Sequence, residues 1–273
     1  MEWLIGLACS AAIAGTAYAK RSLSGSGFLA AVMLGTVMYA LGSAIWFGSL
    51  IAFFVSSTLW SKWKKHAKED AESGYEKDGR RDAGQVLANG GLGLLLCTAN
   101  GVSPHPLWWY AFLGVMAAVT ADTWATEIGG LSRTPPISIK TGRRVPPGTS
   151  GGITGLGLGA SLSGGLFIGA IAWMLLALSG QSALDAVRLA AWVGIAGLAG
   201  ILSSLADSWI GATWQEMYRC GACGREIEQS RHCGSPAVRI RGRAGWNNDA
   251  VNVAGSLAGG VAAALLALAF GLS

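Results

Sequence analysis

Three carboxylates lie inside or at the ends of apolar runs: Asp122 and Glu127 in Ala121-Asp122-Thr123-Trp124-Ala125-Thr126-Glu127, and Asp207 in Ala206-Asp207-Ser208-Trp209. Acids at a membrane boundary are costly and are read first as functional. Oxygen ligands in this number suit Mg²⁺, which keeps several waters and needs only one or two carboxylates beside substrate phosphates. Between the two acid motifs, Lys140, Arg143 and Arg144 precede Gly148-Thr149-Ser150-Gly151-Gly152. A glycine and hydroxyl run before a helix offers backbone N–H groups to an anion, and the cations add charge. The run lacks a Gly-Lys-Ser/Thr ending, so it is not a phosphate loop of the nucleotide-hydrolase type. Acid for a metal and base for phosphates suggest phosphoryl chemistry. Ion pairing with loop arginines and an ion relay in a transporter are the other readings of the acids.

Two further constellations follow. Asn247, Asn248 and Asn252 open the last apolar run, with Asn248, Asn252 and Ser256 on one helical face. Amides entering a membrane helix need partners, so they are expected to floor a polar site. Cys220-Gly-Ala-Cys223 followed by His232-Cys233 has zinc-ligand spacing. Structural zinc, a reduced thiol cluster and redox chemistry all stay open, the adjacent His-Cys pair being awkward for one tetrahedron.

The elements that must position these residues are helices in lipid. Of 273 residues, 52% are hydrophobic and 13% charged, well below the ~25% charged share of soluble domains. The 41 glycines fall inside apolar runs, where small residues let helices approach closely. The expectation is an all-α polytopic membrane protein, a single domain over 1–273, with about eight (six to eight) transmembrane helices. Apolar spans fall near 2–19, 25–42, 44–60, 84–98, 107–129, 153–179, 188–211 and 250–271. The second and third are joined by almost nothing, so they form a tight hairpin or one is partly inserted. Trp108, Trp109 and Tyr110 suggest an interfacial aromatic belt. The first span is expected to stay uncleaved and to start outside.

Loops 20–24, 61–83, 130–152 and 212–249 hold 19 of the 20 Lys and Arg residues, Arg188 being the exception. This bias places those loops in the cytosol, with 130–152 as the phosphate-binding loop. In 61–83, Lys62, Lys64, Lys65 and Lys68 read as a topogenic anchor, with Arg80, Arg81 and Asp82 as a candidate site rim. The net charge of +5 is thereby explained by orientation and not by nucleic acid. The two Ala-Asp-Thr/Ser-Trp motifs suggest a weak internal repeat that would bring Asp122 and Asp207 to one depth.

Four motifs in order, Ala-Asp-Thr-Trp-Ala-Thr-Glu-Ile-Gly, Pro-Gly-Thr-Ser-Gly-Gly-Ile-Thr, Tyr218-Arg-Cys-Gly-Ala-Cys with His232-Cys233-Gly, and Trp-Asn-Asn-Asp-Ala-Val-Asn, resemble an integral-membrane family. It includes the phytyl phosphate kinases of vitamin E salvage and eukaryotic transmembrane protein nineteen. More distantly, the motifs are similar to those of dolichol kinases and phosphatidate cytidylyltransferases. Ala125-Thr126-Glu127 stands where the family usually has Ala-Ser-Glu. The resemblance implies transfer of a γ-phosphoryl group, with CTP favoured, to an isoprenyl monophosphate at the cytosolic face of a bacterial-type plasma membrane. It implies a divalent metal, and Asp122, Glu127 and Asp207 are the acids expected to hold it as Mg²⁺. A lipid-alcohol kinase, a cytidylyltransferase and an ion-coupled transporter are the alternatives.

Overall fold

The computed structural model describes residues 1–64, 80–180 and 186–272. Lys65, Lys68 and the middle of loop 61–83 lie outside them. The helices are α1 (Glu2–Ala19), α2 (Gly25–Lys62), α3 (Ala83–Val102), α4 (Pro106–Gly129), α5 (Gly155–Leu178), α6 (Ala186–Thr213) and α7 (Asn248–Ala269). Among the described residues, five helices, α1, α2, α5, α6 from Leu189 and α7, are long and apolar enough to cross a membrane.

α2 is two segments. Ser43 has φ 81° and ψ 177°, which breaks the helix and turns the chain back. The rings of Tyr39 and Phe47 lie 5.5 Å apart, although eight residues of straight helix would separate them by ~12 Å. Of the two arrangements open to 25–42 and 44–60, the tight hairpin is the one formed.

α4 is the centre of the bundle. Tyr110 and every residue from Phe112 to Ala121 are buried, and neighbouring helices surround it so closely that it does not need high hydropathy. The closeness comes from glycine. A methyl on Gly114 would overlap the carbonyl of Gly259 in α7, and one on Gly165 of α5 would overlap the carbonyl of Ala196 in α6. In lipid such small-residue seams replace the hydrophobic drive that joins helices in water. Trp109 and Tyr110 differ from the aromatic-belt expectation. Trp109 packs against Trp46, Phe112 and Trp192 and Tyr110 is buried, because this end of α4 meets α2 and α6 instead of headgroups.

The four basic loops gather at one end. Lys62 donates to the carbonyl of Lys20 at 3.1 Å, the N–H of Ser24 to Arg81, Ser61 to Glu127 and Ser150 to Gln215. Two small sheets, absent from the all-helical expectation, are built from those loops. β1 (Ile137–Ser138) pairs antiparallel with β2 (Gly152–Ile153). β3 (Met217–Cys220), β4 (Glu226–Ile227), β5 (Arg231–His232) and β6 (Ser235–Arg241) form an antiparallel sheet in the order β4-β3-β6-β5.

If the α4–α7 seam holds the bundle, Gly114→Ala should cost about 1–3 kcal/mol by overpacking and lower the melting temperature in detergent. Gly91→Ala, where an added methyl meets nothing within 4 Å, should leave it unchanged.

Candidate functional site

Asp122 lies near the basic end of α4 and Asp207 near that of α6, and the two carboxylates are within Coulombic reach of each other. This is the juxtaposition that the two Ala-Asp motifs anticipate. The tryptophans of the motifs are not equivalent, since Trp124 packs on Trp60 and Phe167 whereas Trp209 is exposed.

Two hydroxyl rungs align the helices beneath the acids. Ser203, one turn before Asp207, donates to the carbonyl of Gly255 in α7 at 2.8 Å, and Ser161 of α5 pairs with Ser204 at 2.9 Å. Gly255 is where Asp207 rests: a Cβ there would lie 3.0 Å from its Oδ2. That oxygen is buried and has no hydrogen-bond partner among the described residues. An orphaned buried carboxylate oxygen is a costly feature in a protein that makes no use of it.

Glu127 departs from the expected acid set. Five residues beyond Asp122, it points about 140° away around the helix. It accepts a hydrogen bond from Ser61 at the end of α2 and lies within Coulombic reach of Arg81. Arg81 packs over the rings of Phe53 and Phe54 and donates to Thr58. Glu127 and Arg81 therefore tie α4 to the α2 hairpin, and Asp82 caps α3 in a capping box with Gln85.

The loop from 130 to 152 divides into a tip and a base. Lys140, Arg143 and Arg144 are exposed at the tip, where Ile137 bridges to Arg144. At the base, Gly151 has φ 81° and approaches α6 so closely that a side chain would strike Ala212 and the carbonyl of Ser208. The phosphate cradle is smaller than the glycine run suggests. The N–H of Thr149 bonds to Pro146 and that of Gly152 to Thr149, while the Ser150 hydroxyl donates to Gln215. The N–H groups of Gly148, Ser150 and Gly151 have no partner among the described residues.

Three residues not singled out from the sequence connect this loop to the rest. Gln215 is almost fully buried, accepts from Ser150 and donates to Glu228 at 2.9 Å. Glu228 in turn is within Coulombic reach of Asp207. Arg241 donates to the carbonyls of Gly211 (2.9 Å) and Ala212 (3.0 Å) and to that of Ser150 (3.2 Å). It thereby caps the negative end of α6 and holds the loop there. Burial lowers the pKa of Arg241 from the usual arginine value, with Glu226 and Glu228 opposing that fall.

A polar cavity of about 330 Å³ opens between the β3–β6 sheet and the head of α7, lined by Gln215, Tyr218, Glu228, Arg231, Asn247 and Asn248 among others. Asn247 also caps α7 by accepting from the N–H of Ala250. Asn252, a turn further on, lies on the helix turn before Gly255, and its carbonyl accepts from Ser256. Above the membrane end, Cys220, Cys223, His232 and Cys233 bring four ligand atoms within 4.8 Å of one another.

Apolar helices, basic loops gathered at one end and an acid pair at that same boundary define a polytopic integral membrane protein with a polar site at its surface. The chain belongs to the integral membrane protein family DUF92, whose family model matches residues 8–260. It is 29% identical over 260 residues to Protein PGR of Arabidopsis thaliana, covering 89% of this chain and 88% of that protein. It is 26% identical over 209 residues to Protein VTE6, chloroplastic, of the same plant, covering 75% of this chain and 60% of the relative's length. An uncharacterised membrane protein of Methanocaldococcus jannaschii is 28% identical over 201 residues, 72% of this chain and 76% of that one. No solved structure matches.

Arg241→Ala should release the three carbonyls it holds, at a cost of about 1.5–3 kcal/mol for hydrogen bonds to a charged group. Hydrogen exchange should rise in β6 and in residues 148–152, while the α4–α7 seam keeps its protection.

Proposed function

We propose that this protein is a membrane-embedded isoprenoid phosphate kinase. It transfers the γ-phosphoryl group of a nucleoside triphosphate, CTP before others, to an isoprenyl monophosphate and yields the diphosphate. The observation that carries this reading is the acid pair: Asp122 and Asp207 within Coulombic reach of each other, with one buried oxygen of Asp207 unpartnered, at the end of the bundle that carries the basic loops. Membership of the family and the resemblance of the four motifs to phytyl phosphate kinases support the same chemistry.

The acid pair fits Mg²⁺: hard oxygen donors, few in number, with one carboxylate oxygen free to ligate and no side chain at Gly255 to crowd it. Asp122 and Asp207 would hold the ion, with Glu127 left to its tie with Ser61. Bound there, Mg²⁺ would neutralise charge on the phosphates. The chain's own residues do the rest. Asn247 and Asn248 line the cavity that would take the nucleoside. The free N–H groups at Gly148, Ser150 and Gly151 would hold phosphate oxygens, and Lys140, Arg143 and Arg144 would offset charge that spreads over the transferring group.

An oxygen of the acceptor phosphate forms the new bond to the γ-phosphorus as the bond to the β-phosphate oxygen breaks, and the nucleoside diphosphate leaves. The acceptor is already ionised, so no general base is needed and the work is positioning and electrostatics. The lipid tail would lie between the spans, with its phosphate held at the membrane boundary. The site would face the cytosol, where the positive-inside bias puts these loops.

The test is turnover in nanodiscs with Mg²⁺, each of CTP, UTP, ATP and GTP, and phytyl, geranylgeranyl or undecaprenyl monophosphate. Lipid diphosphate and nucleoside diphosphate should appear in equal amounts. Asp207→Asn and Asp122→Asn should each lose at least ~100-fold, the scale of removing one transition-state contact, and Glu127→Gln should stay within about tenfold. Pyrophosphate release would mean cytidylyl transfer instead. Phosphorylation of a free lipid alcohol but not of its monophosphate would mean an alcohol kinase. Absence of any nucleotide turnover in folded protein would overturn the kinase reading in favour of transport.

A further inference from the structure

The β3–β6 module has almost nothing to hold it together in the usual way. From Met217 to Arg241 its fully buried apolar side chains are Met217, Cys220 and Ile227, while Val238 and Ile240 are exposed. Cross-strand ion pairs between Arg219 and Glu226 and between Arg239 and Glu216, each 3.1 Å, are solvent-accessible and contribute little. A sheet of this size without a core needs a covalent or metal cross-link to be ordered. Among the described residues there is no disulfide.

At the end of the sheet, two hairpins present their turns to one another. Cys220-Gly-Ala-Cys223-Gly224 joins β3 to β4, and His232-Cys233-Gly234 joins β5 to β6. The two turns have the same ending. Gly224 and Gly234 both take φ 74° immediately after a cysteine, a backbone state that glycine adopts freely. The N–H of Gly224 bonds back to the carbonyl of Cys220. The sequence objection to a single tetrahedron was the adjacency of His232 and Cys233, since neighbours on a strand point to opposite faces. The backbone removes it: Cys233 has φ 50°, leaves the strand conformation and turns its sulfur to the same side as His232.

We propose that Cys220, Cys223, His232 and Cys233 form a structural zinc site that staples the two hairpins of this module. The four ligand atoms lie within 4.8 Å of one another. One histidine nitrogen, Nδ1, faces both Cys223 Sγ (3.4 Å) and Cys233 Sγ (3.2 Å). A tetrahedron with Zn–S of about 2.3 Å and Zn–N of about 2.0 Å has edges of roughly 3.5–3.8 Å, so small side-chain shifts complete it. Three sulfurs and a nitrogen select a soft or borderline ion over the Mg²⁺ of the acid pair. Four protein ligands leave no open position, so the metal is structural and takes no part in chemistry. Its effect on the membrane site runs through Glu228, the residue after β4, and Arg241, the last residue of β6.

The test is the metal content and Co²⁺ spectrum of the full-length protein in detergent, neither of which depends on turnover. Purified protein should hold one zinc per chain, and removal with a mercurial thiol reagent should release it. Reloading the apoprotein with Co²⁺ should give the intense visible bands of a tetrahedral thiolate site, at one equivalent. Cys223→Ser and Cys233→Ser should each lose stoichiometric zinc, and Cys9→Ser and Cys97→Ser should keep it. Because loss of a ligand can unfold the module, the wild-type Co²⁺ titration decides the matter. Substoichiometric zinc together with no tetrahedral Co²⁺ spectrum, in protein that still melts cooperatively, would overturn the proposal.

Discussion

The whole arrangement depends on how near α4 can come to its neighbours. Lipid tails are as apolar as leucine, so burying apolar side chains between helices gains little in a membrane. What remains is dispersion between surfaces that fit, and glycine makes the fit possible at Gly114, Gly165 and Gly259. Ala121, fully buried against Gly164 and Gly200, is the last residue of that close contact before Asp122. The acid pair is thus the polar end of an apolar seam. The separation of the two carboxylates is set by backbones in contact and not by long, adjustable side chains.

The helices were legible because uninterrupted apolar runs have few alternative structures in a bilayer, where backbone groups must bond within the segment. The common end of the basic loops followed from the positions of lysine and arginine alone. The sheets were not legible for the opposite reason. β6 reads Ser-Pro-Ala-Val-Arg-Ile-Arg with most residues exposed, so alternation carries little burial signal, and β1, β2, β4 and β5 are two residues long. Their order comes from turns and side-chain anchors that a hydropathy reading does not register.

The same division runs through the site. Asp122 and Asp207 stood out because a charge in an apolar run is conspicuous and the Ala-Asp motif occurs twice. Glu127 was grouped with them because it too is an acid in an apolar run, but a helix separates residues five apart by more than a third of a turn. The glycine run signalled a tight turn correctly, but not that two of its amides are consumed inside that turn. Gln215, Glu228 and Arg241 gave no signal at all. Each is an ordinary polar residue in a loop, and its importance arises from what folds next to it. Trp109 likewise reads as an interface residue by type, and becomes a core residue through Trp46 and Trp192.

The reversal at Ser43 has a consequence for assembly. From Gly25 to Trp60 the chain contains no charged residue, and its two helical halves are joined by one residue in a left-handed backbone state. No hydrophilic loop has to be carried across the bilayer to complete this hairpin. The pair can enter the membrane from the side of the basic loops as a single unit, with Lys20, Arg21 and Lys62 left behind as retaining charges. The hairpin would then need no translocation of polar chain between its two arms, and would offer a prebuilt wall on which α3 and α4 later pack.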